Sequence, residues 1–249
     1  MLRLETHTPS LNSLGDVGTL AQDARHGPLP LLLILLTVVT GLVDAVSYLE
    51  LGHVFVANMT GNVVLLGFAA AGASEFSAAV SLVAMGSFLF GALAGGRLGS
   101  SMGHRGQFLA LSTYAQLSAV GAAFVVSLAS SDVSGGITTY ALTVLLAFAM
   151  GLQTATARRL GVPDLTTTVL TQTLTGLAAD SHFAGGANPN FGRRLLAIAA
   201  MFIGAALGAV LIFHVSVSAA LAVAVAVLLV NAMAGYRLSS STAAWTAAK

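Results

Sequence analysis

Six stretches of this chain are long and apolar enough to cross a bilayer and two more are borderline, so the number that cross fixes the architecture. The six cover residues 30–49, 76–96, 108–129, 137–157, 195–213 and 215–236. Each is close to the roughly 20 residues an α-helix needs to cross about 30 Å of hydrocarbon. The borderline pair are 54–73, opening V-F-V-A-N-M-T-G-N-V-V-L-L-G, and 165–179, L-T-T-T-V-L-T-Q-T-L-T-G-L-A-A. With 56% of residues apolar and 8% charged, the chain lies outside the range of soluble domains of its length. It reads as an all-α polytopic membrane protein with no room for a large soluble domain.

Charge separates the two counts. If both borderline stretches cross, Arg97, Arg105, Arg158 and Arg159 fall outside while Arg193 and Arg194 stay inside, against the rule that basic residues remain on the cytoplasmic side. If both are re-entrant, all ten Lys and Arg residues share one side. The other side then holds only Glu50, His53, Glu75, Asp132 and His214 as titratable groups. The expectation is six spans plus two re-entrant half-helices in a cytoplasmic (inner) membrane, both termini inside. Residues 1–28 form a polar cytoplasmic tail, 29–237 one transmembrane domain, and 238–249 a second tail whose Trp245 rests at the interface.

The halves are related. Residues 41–67 and 151–176 each close a span with G-L-x-x-A, reach a glycine at a helix end and enter an Asn- or Thr-rich segment. A span with two glycines four apart follows each: Gly91 and Gly95, then Gly204 and Gly208, a spacing that lets helices pack closely. This order implies a duplication, about 29–130 and 136–237. Three spans per copy force opposite orientations, so one half-helix enters from each face.

The string G-L-V-D-A-V-S-Y-L followed by V-F-V-A-N-M-T-G-N-V-V-L-L-G resembles the signature of the YoaK family, bacterial inner-membrane proteins grouped as a domain of unknown function. The likeness runs from about residue 40 to 235. It implies a polytopic bacterial membrane protein and supplies no substrate or reaction. Where the family pattern carries T-G-T after the threonine run, this chain has Thr171-Gln172-Thr173.

Asp44 is the one carboxylate well inside an expected span. An ionised side chain there costs about 2.5–3.5 kcal/mol or more, so it must be solvated, protonated or cation-linked. Asn58, Thr60 and Asn62 open the first re-entrant segment, with Asn58 and Asn62 at i, i+4 on one face, either capping the half-helix or lining a wet cavity. Thr168, Thr171 and Gln172 form the matching cluster, Thr168, Thr171 and Thr175 sharing a face. Gln153 and Thr154 stand where the first copy has Val43 and Asp44. Together Asp44, Asn58, Thr60, Asn62, Gln153, Thr168, Thr171 and Gln172 form the expected pathway for a small solute or ion. The alternative is a non-transporting scaffold or assembly partner. Arg158-Arg159 and Arg193-Arg194 read as topology anchors.

Other classes find little support. Aspartyl proteolysis needs two carboxylates sharing a site. No H-E-x-x-H or P-loop string occurs. The histidines show no ligand spacing and there is no cysteine, so neither metal nor cofactor is expected. A net charge of +1 without a basic run gives no footprint for nucleic acid. The expected partners are the lipid bilayer, an unidentified solute or ion, and a second copy of the chain.

Overall fold

The computed structural model describes residues 25–130, 132–168, 170–187 and 190–247. Among the described residues six helices are long and apolar enough to cross a membrane: α1 (Leu29–Glu50), α3 (Ala78–Ser101), α4 (Arg105–Ala129), α5 (Gly136–Leu160), α7 (Phe191–His214) and α8 (Val217–Leu238). Between them lie two short helices, α2 (Met59–Ala70) and α6 (Leu170–Ala179). At 1.5 Å per residue these are about 18 and 15 Å long, half a bilayer each.

The long helices run further than the apolar stretches in the sequence, chiefly at the basic ends. Arg97, Arg105, Arg158, Arg159, Arg193, Arg194 and Arg237 all sit within helical turns. Arginine favours helix, and its long stem lets the charge reach water while the backbone stays helical, so a charge ends the apolar run without ending the helix. Polar caps mark the starts: the Ser77 hydroxyl accepts from the Val80 amide, His104 Nδ1 from Gln107 and Ser216 from Ala219. Gly161, at φ +60°, ends α5 in the left-handed conformation that suits glycine.

Backbone-close contacts at glycines set two principal pairings. α3 lies along α5 and α1 along α7. A Cβ at Gly91 would collide with the Phe148 carbonyl oxygen and one at Gly151 with that of Phe88; at Gly95 it would lie 2.9 Å from Ala155 Cβ. The other pair repeats this pattern. Gly204 abuts the Val38 carbonyl and Gly41 that of Met201, and a Cβ at Gly208 would lie 2.9 Å from Ala45 Cβ. Residue numbers rise together across both contacts, so each pair is parallel. α4 and α8 run antiparallel, with Gly235 against Ala110 at one end and the Ser127 hydroxyl donating to Ser218 at the other. α1 and α5 are the most buried spans, while α3 and α7 present most of their surface outward.

These contacts fix the ends of the bundle. His26, just before α1, Arg105 at the start of α4, Leu160 at the end of α5 and Trp245 beyond α8 meet one another. Gly99, near the end of α3, packs on Arg159, and α7 starts at the same end because it parallels α1. All described arginines therefore gather at one end, and Glu50, Glu75, Asp132 and His214 at the other. α1 begins and α3 finishes at the same end, so α2 does not cross; the same reasoning applies to α6 between α5 and α7. Residues 241–247 fold back under the bundle, where His104 Nε2 meets the Ser241 carbonyl at 2.8 Å and Trp245 is 9% exposed, a buried plug rather than the interfacial tail expected. Arg3 and Lys249 lie outside the described residues.

Candidate functional site

The first re-entrant segment is held by two side chains. Gly52 and His53, at φ +87° and +55°, turn the chain at the end of α1. Residues 54–57 then lie back against α1, with Val54, Val56 and Ala57 buried. Asp44 Oδ1 accepts the amide hydrogens of Val56 at 3.1 Å and Ala57 at 2.9 Å. Six residues before the helix end, this carboxylate lies about 9 Å below it. Asn62 closes the other side of the loop, accepting from the Phe55 amide at 2.8 Å and donating to its carbonyl at 2.6 Å. The Phe55 ring stacks on Tyr48, with centroids 4.8 Å apart, and a Cβ at Gly61 would lie 2.9 Å from it. Phe76 edges onto His53 and Phe68 to complete an aromatic cover over this mouth.

The second segment is held by charge. Arg194, from the first turn of α7, is 7% exposed and ion-paired with Asp164 at 3.1 Å and Asp180 at 2.8 Å. Its Nη1 donates to the Gly176 carbonyl at 2.6 Å, and a Cβ at Gly176 would lie 2.7 Å from the guanidinium carbon. One arginine thus reaches the loop before α6, its second turn and the residue after it. Asp164 and Thr167 both have left-handed backbone, at φ +62° and +61°. For a β-branched threonine this is a strained conformation. The buried Thr167 Oγ1 has no hydrogen-bond partner among the described residues.

A third polar group bridges three spans. Gln153 Nε2 donates to Thr40 Oγ1 at 2.8 Å and to the Leu36 carbonyl at 3.2 Å, and its Oε1 accepts from Gln116 Nε2 at 2.5 Å. All three side chains are buried, as is Asn231, which donates to the Leu32 carbonyl while its Oδ1 takes no bond from a described group. In a low-dielectric interior such bonds define which helix faces meet.

The expected pathway residues are therefore distributed over three places. Asp44 and Asn62 pin the first segment and Gln153 ties α5 to α1 and α4. Asn58, Thr60, Thr171 and Gln172 lie on exposed faces of the half-helices, with Thr168 half-buried beside α6. Asn58 and Asn62 do not share a face. Asn58 precedes α2 and caps it by accepting from the Gly61 amide, while Asn62 turns inward. Thr168 likewise lies before α6, so only Thr171 and Thr175 share a face. Arg194, read as a topology anchor, is a buried latch. Sequence reasoning passed over Gln116, the lone amide in residues 108–129, and Thr40. Phe55 and Thr167 carry no comparable signal, because their roles depend on where a loop turns. Gly91, Gly95, Gly204 and Gly208 are packing positions, as their spacing implied.

No solved structure matches the chain. The UPF0700 transmembrane protein YoaK of Bacillus subtilis (strain 168) is 35% identical over 153 residues, which is 60% of this chain and 65% of that relative, so the match spans just under two thirds of the relative's length. The family described as "Protein of unknown function (DUF1275)" matches residues 32–234, which takes in all six spans but for the outer ends of α1 and α8, both half-helices and all three polar groups above. The chain belongs to that family of transmembrane proteins.

Proposed function

We propose that this chain moves a small solute or ion across the bacterial cytoplasmic membrane, with its basic end and both tails in the cytoplasm. The observation that carries the reading is Asp44. It is a carboxylate 5% exposed in the most buried span, with both hydrogen bonds on Oδ1 and none from a described group to Oδ2. A group so expensive in a membrane interior is kept where it binds a proton or cation, and Asp44 couples that event to a loop through the two amides it holds. Protonation or cation binding at Oδ2 weakens the hold on Val56 and Ala57, freeing the first re-entrant segment to move.

Inverted duplication supports this reading. The matched glycine contacts of α3 on α5 and α1 on α7 are what two copies of opposite orientation produce, and half-helices entering from opposite faces are a recurring means of exposing a site to each side in turn. The copies differ in chemistry, since Thr154, which bonds the Met150 carbonyl, stands where the first has Asp44. Coupling therefore belongs to the first segment and the charged latch to the second.

Purified protein in liposomes tests this with fluorescent reporters of proton, cation and small-solute flux. Wild-type protein gives a flux that depends on pH or on one cation. Asp44→Asn inserts normally, since a neutral amide is cheaper to bury, and loses that dependence. An unchanged pH and cation profile in Asp44→Asn makes Asp44 structural and removes the coupling.

A second reading, assembly, is favoured by one observation: Asn58, Thr60, Thr171, Gln172 and Thr175 face outward from the half-helices. Polar side chains on a membrane face gain from a partner, which a second copy supplies. Cysteines at Thr60 or Thr171 that cross-link between copies in native membranes support it, and exclusively monomeric protein in those membranes excludes it.

A further inference from the structure

We infer that, granted the reading of Asp44 as the coupling carboxylate, the coupling species is a proton, which reaches Asp44 from the cytoplasm along a hydrated seam between α1, α4, α5 and α8. Asp44, Thr40, Leu36 and Leu32 stand four residues apart down α1. They form one slowly turning stripe about 18 Å long that ends within a turn of the helix start. Below Asp44 every step of the stripe meets a polar side chain from a neighbouring span. Gln153 of α5 donates to Thr40 Oγ1 and to the Leu36 carbonyl, Gln116 of α4 donates to Gln153, and Asn231 of α8 donates to the Leu32 carbonyl.

Ties between helices need no spare oxygens, yet two are left on this seam. A carbonyl oxygen only accepts, so the bonds to Leu36 and Leu32 fix which way round both amides stand. Asn231 Oδ1 is thereby turned from every described donor, and Ser112 Oγ, one turn below Gln116 on α4, also has no partner among the described residues. Gly235 packs on Ala110; Ser112 lies two residues further in on α4 and Asn231 four further in on α8, so both stand within about 6 Å of that crossing along the axis. Buried oxygens without a protein partner are met by water where several polar groups surround it. From Thr40 to Asp44 is one turn, about 6 Å, a gap that one bridging water closes. The hydroxyls and amides of the seam both donate and accept, so waters held by them relay a proton. Each transfer breaks one O–H bond and forms the next, the last on Asp44 Oδ2, and the cytoplasmic medium supplies the proton. Thr40, Gln153 and Asn231 are at most 1% exposed, a closure that admits single waters and no larger solute.

Full-length protein in inverted membrane vesicles presents its basic end to the medium. Single cysteines at Asn231 and Gln116 should react with a small cationic methanethiosulfonate about tenfold or more faster than cysteines at Leu152 and Leu228, because a thiol in apolar surroundings is held from its reactive thiolate form. These controls are buried at similar depth on α5 and α8, with Leu152 against Gly95 on the contact with α3. Ser112→Cys exchanges one small side chain for another and carries the test should the larger replacements fail to reach the membrane. No labelling at any seam position, or equal labelling at the controls, overturns the seam. Labelling requires no transport, so it stands apart from the fate of Asp44→Asn. In flux measurements Asp44→Asn loses its response to pH at both faces, whereas Asn231→Leu should respond about tenfold less to pH at the cytoplasmic face and keep its response at the outer face. Wild-type behaviour of Asn231→Leu at the cytoplasmic face, or a flux that follows a metal cation and ignores pH, overturns the route. A labelled seam with an unchanged pH profile in Asp44→Asn overturns the reading of Asp44, and with it the destination of the proton.

Discussion

The glycine contacts give the most sharply defined mechanical prediction. In Gly204→Ala the new Cβ meets the Val38 carbonyl oxygen and lies 3.0 Å from its carbon and 3.1 Å from its Cα. All three are backbone atoms, so no rotamer change relieves the overlap, and α1 and α7 must separate by on the order of 1 Å. Such a gap forfeits a quarter to a half of the dispersion attraction of every atom pair along the contact. The cost is about 2 kcal/mol, typical of overpacking a close interface. Gly91→Ala meets the Phe148 carbonyl in the same way and carries the same cost. Gly86→Ala and Gly96→Ala meet nothing within 4 Å and should be neutral or stabilising by up to about 1 kcal/mol through helix propensity. Thermal unfolding in a mild detergent reads these as losses of about 4–8 °C for the first pair and none for the second. Because the two close contacts are separate interfaces, the Gly91/Gly204 double variant should lose the sum of the single losses. Gly96→Ala as damaging as Gly204→Ala, or a harmless Gly204→Ala, would refute the packing argument.

Arg194→Gln leaves Asp164 and Asp180 facing each other and strips the Gly176 carbonyl of its donor; it should cost about 3 kcal/mol and open residues 164–180 to proteolysis, whereas Arg237→Gln should do neither. Gln153→Leu removes the partner of Gln116 and Thr40 together, for a loss of about 1–3 kcal/mol, and the Gln116→Leu/Gln153→Leu pair should lose less than the sum of the singles. Tyr48→Ala uncovers the Phe55 ring and should raise amide exchange at Val56 and Ala57 in hydrogen-exchange mass spectrometry, with little change in α4 or α8.

The spans, the arginine end and the glycine contacts were legible because each rests on a local or periodic signal: run length, charge placement, and small residues four apart. Arg97, Arg105 and Arg159 sort to one end only if α2 and α6 fail to cross, and helices of 12 and 10 residues do fail. The site was less legible. The Asn58–Asn62 spacing implied one helical face, but a helix starting one residue after Asn58 makes it a cap and leaves Asn62 to pair with Phe55. Asp44 was found as a buried charge, yet its partners are backbone amides, which carry no mark in a sequence. Arg194 looked like the other arginines because its acids, Asp164 and Asp180, come from 30 and 14 residues upstream and meet it only when α6 folds back onto α7.

The claim on which the account rests is that each half-helix returns to the face it entered from, the first from outside and the second from the cytoplasm. With no native cysteine in the chain, single-cysteine accessibility measures this directly. His53→Cys and Glu75→Cys flank α2, and Pro163→Cys and Ala187→Cys flank α6. In intact cells a membrane-impermeant maleimide should label the first two and spare the second two, and permeabilised cells should label all four. Labelling of only one member of either pair from outside would mean that its half-helix crosses the membrane, and would contradict the inverted arrangement.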